Sequence, residues 1–406
     1  MASRKNTLFE SFESIYKRLE EVLLANSGEN EFEEIIKLVT LKLWEERQNS
    51  LLAYSLDEAN ATLRKIDTEW KEVLLETHFN ITEEQYLVCA EIINSFDFYK
   101  DGYEGIDGIF EFIVSNEKKS SKGQYFTPRY IIDFCIKILN PKQDEHVLDP
   151  AAGSAAFLYH AHNHSDIPGD HLWAFDFDNT AVRVARLLMY VAGINNVHIN
   201  KTNSLIKSSA QESLIATGIS DLSTTIEDIL RIEKFRSQFD VIATNPPFAG
   251  EIIEPDILNS YEVTKGKKRT ERDVLFVERC IKLLKPGGRM AIVLPDSIFG
   301  GSENEQLRKW VYDNCRIVGV IGIPRNVFMP HTPVKTSILF LQKRISPRTK
   351  NENIFFGISE KPGKDSRGRI LYLREEEHTW RNVDHDLNDI FSNFLMFLRE
   401  EKIGWC

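Results

Sequence analysis

Asn245-Pro246-Pro247-Phe248 closes the apolar run FDVIAT and is the sharpest chemical feature of the chain. In an open parallel sheet, ligands collect outside the carboxyl ends of the strands, which is where this tetrapeptide would stand. The prolines lack backbone donors and fix φ, so they leave outward carbonyls on a stiff loop. An Asn side-chain oxygen beside a free carbonyl forms a pair of acceptors matched to a planar exocyclic amino group with two N–H donors. Phe248 offers an aromatic face for the ring that carries such an amine. The plainer alternative is a turn in which N-P-P only stops a strand.

A second feature runs from Leu148 to Leu158, LDPAAGSAAFL, directly after a short apolar strand and opening a helix. A glycine turn at Gly153 lets backbone amides and a helix N-terminus face a ligand, and Asp149 can accept from an ammonium or hydroxyl group. Asp176 ends the next strand, where an acidic residue can hold ribose hydroxyls. Either Asp176 or Asp178 can instead serve as a helix N-cap.

These residues need a scaffold, and the periodicity supplies one. From Leu8 to about Phe98, apolar residues recur at steps of three and four, as in Phe12, Ile15, Tyr16 and Leu19, which predicts four or five helices. The texture changes at Asp101 to a stretch rich in Gly, Lys and Ser that reads as an exposed connection. Beyond it, helix Tyr130–Leu139 and strands HVLD, LWAFD, FDVIATN, MAIVLP and IVGVIGIP alternate with further helices, predicting βαβ units. The expected architecture is α/β, a mostly parallel sheet covered on both faces, preceded by an all-α domain. The expected division is 1–104, 105–345 and 346–406, the last part carrying a terminal helix near Leu387–Glu400.

With 27% charged and 42% hydrophobic residues among 406, the chain has the balance of a globular protein and not of a disordered one. A net charge of -11 argues against coating nucleic acid by bulk electrostatics, although a local basic patch can still reach phosphates. The five cysteines are widely spaced, without a C-x-x-C pair, so they read as reduced thiols and no metal site is expected. No run approaches the length of a membrane span, and the N-terminus lacks a signal-peptide pattern. The expectation is a cytoplasmic protein without a membrane partner.

Gly123-Gln124-Tyr125-Phe126-Thr127-Pro128-Arg129, then Asp149 through Ser154, then Asp176, then Asn245 through Phe248 follow one another in an order that resembles the N6-adenine DNA methyltransferases of the gamma class. The chain is most similar to modification subunits of type I restriction–modification systems, over roughly Phe110 to Arg344. The resemblance implies a Rossmann-like fold and S-adenosylmethionine as cofactor. It implies that Gln124, Tyr125, Phe126, Thr127 and Pro128 border the methionine part, and that Asp149, Ala151, Gly153 and Ser154 hold the amino-acid end. Asp176 would hold the ribose, Asn203 the adenine, and Asn245 would border the transferred methyl. Asn245, Pro246, Pro247 and Phe248 would be the catalytic set. Double-stranded DNA, a DNA-specificity subunit, a restriction subunit and a second copy of the chain are the implied partners.

The chain departs from the family pattern at Ala155 and Ala156, where glycines are usual, and at Ala152, where a cysteine is. An added Cβ matters only if the backbone there needs φ > 0 or close approach to a ligand. Lys265, Lys267, Lys268, Arg269 and Arg272 form a basic run after Phe248, and Lys118, Lys119 and Lys122 precede the GQYFTP motif. Both runs are candidate DNA contacts, or simply solvated loops. Two other functions stay open: methyl transfer to an RNA base or to protein glutamine, and a catalytically silent scaffold that binds DNA or partner subunits.

Overall fold

The computed structural model describes residues 7–24, 31–52, 55–99, 102–117, 126–208, 210–211, 224–235, 238–347, 352–375 and 377–405. The chain divides into two compact units, residues 1–121 with 183–195 and residues 122–182 with 196–406.

The first unit is helical: α1 (Thr7–Leu24), α2 (Glu31–Arg47), α3 (Leu56–Glu69), α4 (Glu83–Asn94) and α5 (Gly102–Glu117). Phe12, Ile15, Tyr16, Leu19 and Leu23 of α1 and Phe32, Ile35, Ile36, Val39 and Leu43 of α2 are buried, as an apolar stripe at helical spacing requires. Thr82 and Gln85 close a reciprocal capping box at the start of α4. Helix α5 occupies the Gly-rich stretch that reads as a connection. Each glycine costs a helix about 1 kcal/mol, but Ile106, Ile109, Phe110 and Ile113 are all buried on one stripe and outweigh that penalty. Within the same unit, the buried Arg183 guanidinium makes two 2.7 Å bonds to the Glu33 carboxylate. Its Nε donates to the Val73 carbonyl, so the buried charge is fully paired.

The second unit is built on one sheet. Its strands are β1 (Val147–Asp149), β2 (Leu172–Asp176), β3 (His198–Lys201), β4 (Phe239–Thr244), β7 (Leu284–Pro295), β8 (Cys315–Ile323), β9 (Thr336–Lys343) and β10 (Phe355–Ile358). A separate two-stranded ribbon pairs β5 (Glu251–Ile252) with β6 (Thr270–Glu271). The sheet order is β10-β8-β9-β7-β4-β1-β2-β3, with β9 antiparallel to both neighbours and every other pairing parallel. This is a mixed α/β fold whose sheet is mostly parallel.

All residues of β1 and β4 are buried, the signature of central strands covered on both faces. One covering helix is α6 (Arg129–Leu139), whose Tyr130, Ile131, Phe134, Cys135 and Ile138 are buried. It ends where Asn140 turns left-handed and returns its N–H to the Ile136 carbonyl. α7 (Ala156–Ser165) follows β1, and α8 (Asn179–Val191) follows β2. Because β1, β2 and β4 are adjacent and parallel, the segments leaving Asp149, Asp176 and Thr244 emerge on one edge of the sheet.

Among the described residues, no helix is long and apolar enough to cross a membrane, and no group of three or more His, Cys, Asp or Glu could hold a metal ion. Cys89, Cys135, Cys280 and Cys315 are buried and free.

Candidate active site

Asp149 is the hub of that edge. Its carboxylate Oδ1 accepts from the Thr244 hydroxyl at 2.6 Å and from the Ala151 amide at 3.1 Å. Burial nevertheless pushes its carboxyl up to about 7, against the opposing pull of those two bonds. The chain then turns at Gly153, whose φ is +53° and above which an added Cβ would meet nothing within 4 Å. The Gly153 amide donates to Asp176 Oδ2 at 2.9 Å, so the turn is tied to the end of β2.

Ala151 is half-buried and Ser154 buried within the same turn. Ala152 is also buried, and its amide donates to the Phe175 carbonyl. Ala155 stands at φ +60°, fully buried, while Ala156 is the first residue of α7. The two departures from the glycine pattern therefore differ. Ala155 occupies the left-handed region that glycine prefers, whereas Ala156 has a helical backbone that alanine suits.

The two acids after β2 divide the work. Asp178 accepts from the Ala181 amide at the start of α8, and Asp176 accepts from Gly153 and Asp178 amides. Between them Phe177 is 65% exposed, a large apolar side chain left in solvent beside the glycine turn. Asn203 lies just beyond β3, half-buried, with Oδ1 accepting from the Leu205 amide. Its loop is fixed from three sides. The Ser204 hydroxyl donates to the Pro150 carbonyl, Tyr261 donates to the Leu205 carbonyl, and the buried Arg279 donates to the Ser204 carbonyl while pairing with Glu227.

At the end of β4, Asn245 donates from Nδ2 to the Thr127 hydroxyl at 2.9 Å. Its Oδ1 is buried and has no hydrogen-bond partner among the described residues. Thr127 is itself buried, between half-buried Phe126 and Pro128, which precedes α6. Pro246 is buried and Pro247 half-buried. Half-buried Phe248 meets the Phe328 ring edge-on, centroids 5.8 Å apart and planes at 90°.

The structure thus ties Thr127 to Asn245, Asp149 to Thr244 and Gly153 to Asp176 by hydrogen bonds at the carboxyl ends of adjacent strands. Lys122, Gln124 and Tyr125, with Lys118 and Lys119, lie outside the described residues. Thr244, Phe177 and Phe328 escape a reading by motif, since Thr244 and Phe177 are single ordinary residues at strand ends and Phe328 closes a 3₁₀ turn between β8 and β9.

Of the basic run, Arg272 donates its amide to the Gly250 carbonyl, two residues beyond Phe248, so one end of the run is anchored beside the tetrapeptide. Lys267 donates to the Glu303 carbonyl, and Arg269 stands 3.7 Å from Glu251. Lys265 and Lys268 are exposed.

A family model described as N-6 DNA Methylase matches residues 97–392. The chain is 29% identical over 280 residues to the type I restriction enzyme StySPI methylase subunit of Salmonella potsdam, covering 65% of this chain and 50% of that protein. It is 28% identical over 273 residues to the type I restriction enzyme EcoKI methylase subunit of Escherichia coli K12, with the same two coverages. The crystal structure of the type I restriction-modification system methyltransferase subunit from Streptococcus thermophilus shares the fold, with a TM-score of 0.61 at 16% identity over 96% of this chain and 93% of that one. The chain spans about half the length of the curated relatives it matches.

Proposed function

The chain belongs to the N-6 DNA Methylase family, and from that membership we propose that it transfers a methyl group from S-adenosylmethionine to the N6 amino group of adenine in double-stranded DNA, as a gamma-class modification subunit of a type I restriction–modification system. The observation that carries this reading is the buried Oδ1 of Asn245 at the carboxyl end of β4, which has no hydrogen-bond partner among the described residues. A buried acceptor left without a donor costs about 1–3 kcal/mol. An amino group arriving at this point removes that cost.

In this reading Asn245 Oδ1 and the Pro246 carbonyl accept the two N6 hydrogens. The N6 lone pair is delocalised into the ring, so the amine is a weak nucleophile. Both acceptors grip hardest as positive charge develops on nitrogen, which lowers the barrier more than it tightens ground-state binding. Thr127 holds the Asn245 amide by its Nδ2 end and keeps Oδ1 aimed away from itself. Phe248, braced edge-on by Phe328, receives the adenine once it has left the duplex stack.

The residues present fit the cofactor: the open space above Gly153 admits close approach to the backbone, and Asp149 can accept from an ammonium group. Asp149, Ala151, Gly153 and Ser154 would hold the amino-acid end, with Phe126, Thr127 and Pro128 at the methionine side and Gln124 and Tyr125 beside them. Asp176 would hold the ribose, and Asn203 the adenine, with exposed Phe177 to cover that ring. When bound, S-adenosylmethionine supplies an activated sulfonium methyl; the protein aligns the incoming nitrogen with it.

A separate DNA-specificity subunit, a restriction subunit and a second copy of the chain complete the proposal, as does division of the chain at 104/105 and 345/346. The silent scaffold would instead require the Cβ that Ala155 carries at its left-handed backbone to obstruct the cofactor. Asn245→Ala separates the two. Methyl transfer to duplex DNA is expected to fall at least about 10²-fold, the scale of losing one aligned charge-stabilising group, while calorimetric cofactor affinity stays within about threefold. Undiminished turnover, or no cofactor binding by the unaltered chain, would overturn the methyltransferase.

A further inference from the structure

The stretch after β10 carries a hairpin that motif reading leaves without a function. Residues 361–374, KPGKDSRGRILYLR, hold five cations and a single acid in a chain of net charge -11. Its tip is a tight turn. Asp365 Oδ1 accepts from the Arg367 and Arg369 amides at 2.8 and 2.9 Å, and Oδ2 binds Arg369 Nε at 2.7 Å. Leu371 returns its amide to the Gly363 carbonyl, so both arms are paired.

That tip is seated against the wall of the candidate site. Gly368, at φ +83°, lies so close to Met329 and Pro330 that an added Cβ would stand 2.6 Å from the Pro330 nitrogen. Lys364 Nζ donates to the Met329 carbonyl at 3.1 Å. The residue before Met329 is Phe328, which braces Phe248. The path from the hairpin to the aromatic at the catalytic mouth therefore runs from Gly368 to Met329 and Pro330, back along the chain to Phe328, and across to Phe248.

Most of the hairpin's cations are already engaged. Lys361 pairs with Asp384, Lys364 with the Met329 carbonyl, Arg369 with Asp365 and Arg374 with Glu377. Arg367, at the apex, is exposed and its guanidinium has no partner among the described residues. Arg325 matches it: exposed, equally unpartnered among the described residues, and the first residue of the 3₁₀ turn Arg325–Phe328. Two exposed guanidiniums without partners among the described residues, one on the turn that ends in Phe328 and one on the hairpin packed against Met329 and Pro330, suit an anion with oxygens, since Arg binds phosphate as a planar fork.

We propose that Arg367 and Arg325 bind backbone phosphates flanking the target adenine, making the 361–374 hairpin a second basic rim beside the 265–272 run. The inference rests on the DNA-adenine reading above, and its test can fail independently. Both residues are exposed, so Arg325→Gln/Arg367→Gln is expected to leave the melting temperature and calorimetric cofactor affinity unchanged. Anisotropy binding of a labelled 30-bp duplex to the full chain, measured across salt concentrations, reads the charge directly. Each phosphate contact contributes a slope of about −0.9 in log K against log salt. The double variant should therefore lose about 1–2 from the slope, and Arg325→Lys/Arg367→Lys should retain it. A wild-type slope in the Gln variant overturns the arginine assignment alone. Absence of any cofactor binding by the unaltered chain removes the methyl-transfer reading instead.

Discussion

The turn after β1 and the tetrapeptide after β4 stand side by side on one sheet edge, yet they treat their polar groups in opposite ways. Around the first, Asp149, Asp176 at the end of β2 and Asn203 beyond β3 already accept hydrogen bonds from neighbouring amides or a hydroxyl. In the second, Asn245 presents a buried oxygen with no partner among the described residues. A carboxylate has lone pairs to spare, so a self-braced turn can keep its shape and still take a ligand. The amide oxygen has no such brace, and its cost in the free protein is relieved only by an incoming donor. The Thr244 hydroxyl, which bonds Asp149 and immediately precedes Asn245, couples the halves covalently and through 2.6 Å.

After Asn245→Ala, the largest expected effect that tests this contrast is Phe248→Ala. Stacking on an aromatic ring is worth about 1–3 kcal/mol per base, so kcat/KM on duplex DNA should drop roughly 10- to 100-fold, with cofactor affinity unchanged. Loss of cofactor affinity instead would show that the β4 loop serves both halves. Steady-state methyl transfer with a calorimetric control decides it.

Smaller, and confined to the β1 half, is a pH effect. The Asp149 carboxyl sits at about 7 because it is buried, well above its ordinary 3.8. An ammonium partner needs the ionised form, so cofactor affinity should rise with pH, by up to about tenfold per unit below that value, and level off above it. Asp149→Asn should flatten the profile. The stability sign is opposite: the folded state keeps its proton until about 7 while the unfolded chain releases it near 3.8. The contribution is thus fully present below 3.8 and lost as pH rises to 7, and Asp149→Asn should raise the melting temperature at pH 8. Flat cofactor binding from pH 6 to 8 would remove Asp149 from the ammonium contact.

Much of this architecture is legible in the residue order. The βαβ alternation, the positions of β1, β2 and β4, and the placing of Asn245 at a strand end all follow from apolar runs bounded by turn residues. Three things are not. Helix α5 hides behind glycines because burial of Ile106 and Phe110, a tertiary effect, overrides local propensity. Strand β9 enters antiparallel between β7 and β8, a pairing no local pattern encodes. The links from Thr127 to Asn245 and from Gly368 to Pro330 join residues 118 and 38 apart in sequence, distances over which composition carries no signal.

The finest contrast lies inside the β1 turn, between two alanines that the motif pattern treats alike. Ala155 pays for a left-handed backbone, about 1–2 kcal/mol for a residue with a Cβ, but buries its methyl completely, a gain of about 0.8 kcal/mol. Replacing it with glycine exchanges one for the other and should move stability by less than about 1 kcal/mol. Ala156 has no strain to relieve: glycine there loses the buried methyl and adds backbone freedom at the helix start, a destabilisation of about 1–2 kcal/mol. Urea midpoints of Ala155→Gly and Ala156→Gly should therefore differ, with Ala156→Gly the lower. The same pair tests the cofactor half. The Ala155 side chain is wholly buried in protein and so does not face the open space above Gly153, and Ala155→Gly should leave cofactor affinity within about threefold. A tenfold gain on removing that methyl would mean that it obstructs the cofactor, and the contrast between a ready β1 turn and a waiting β4 loop would fail at its first term.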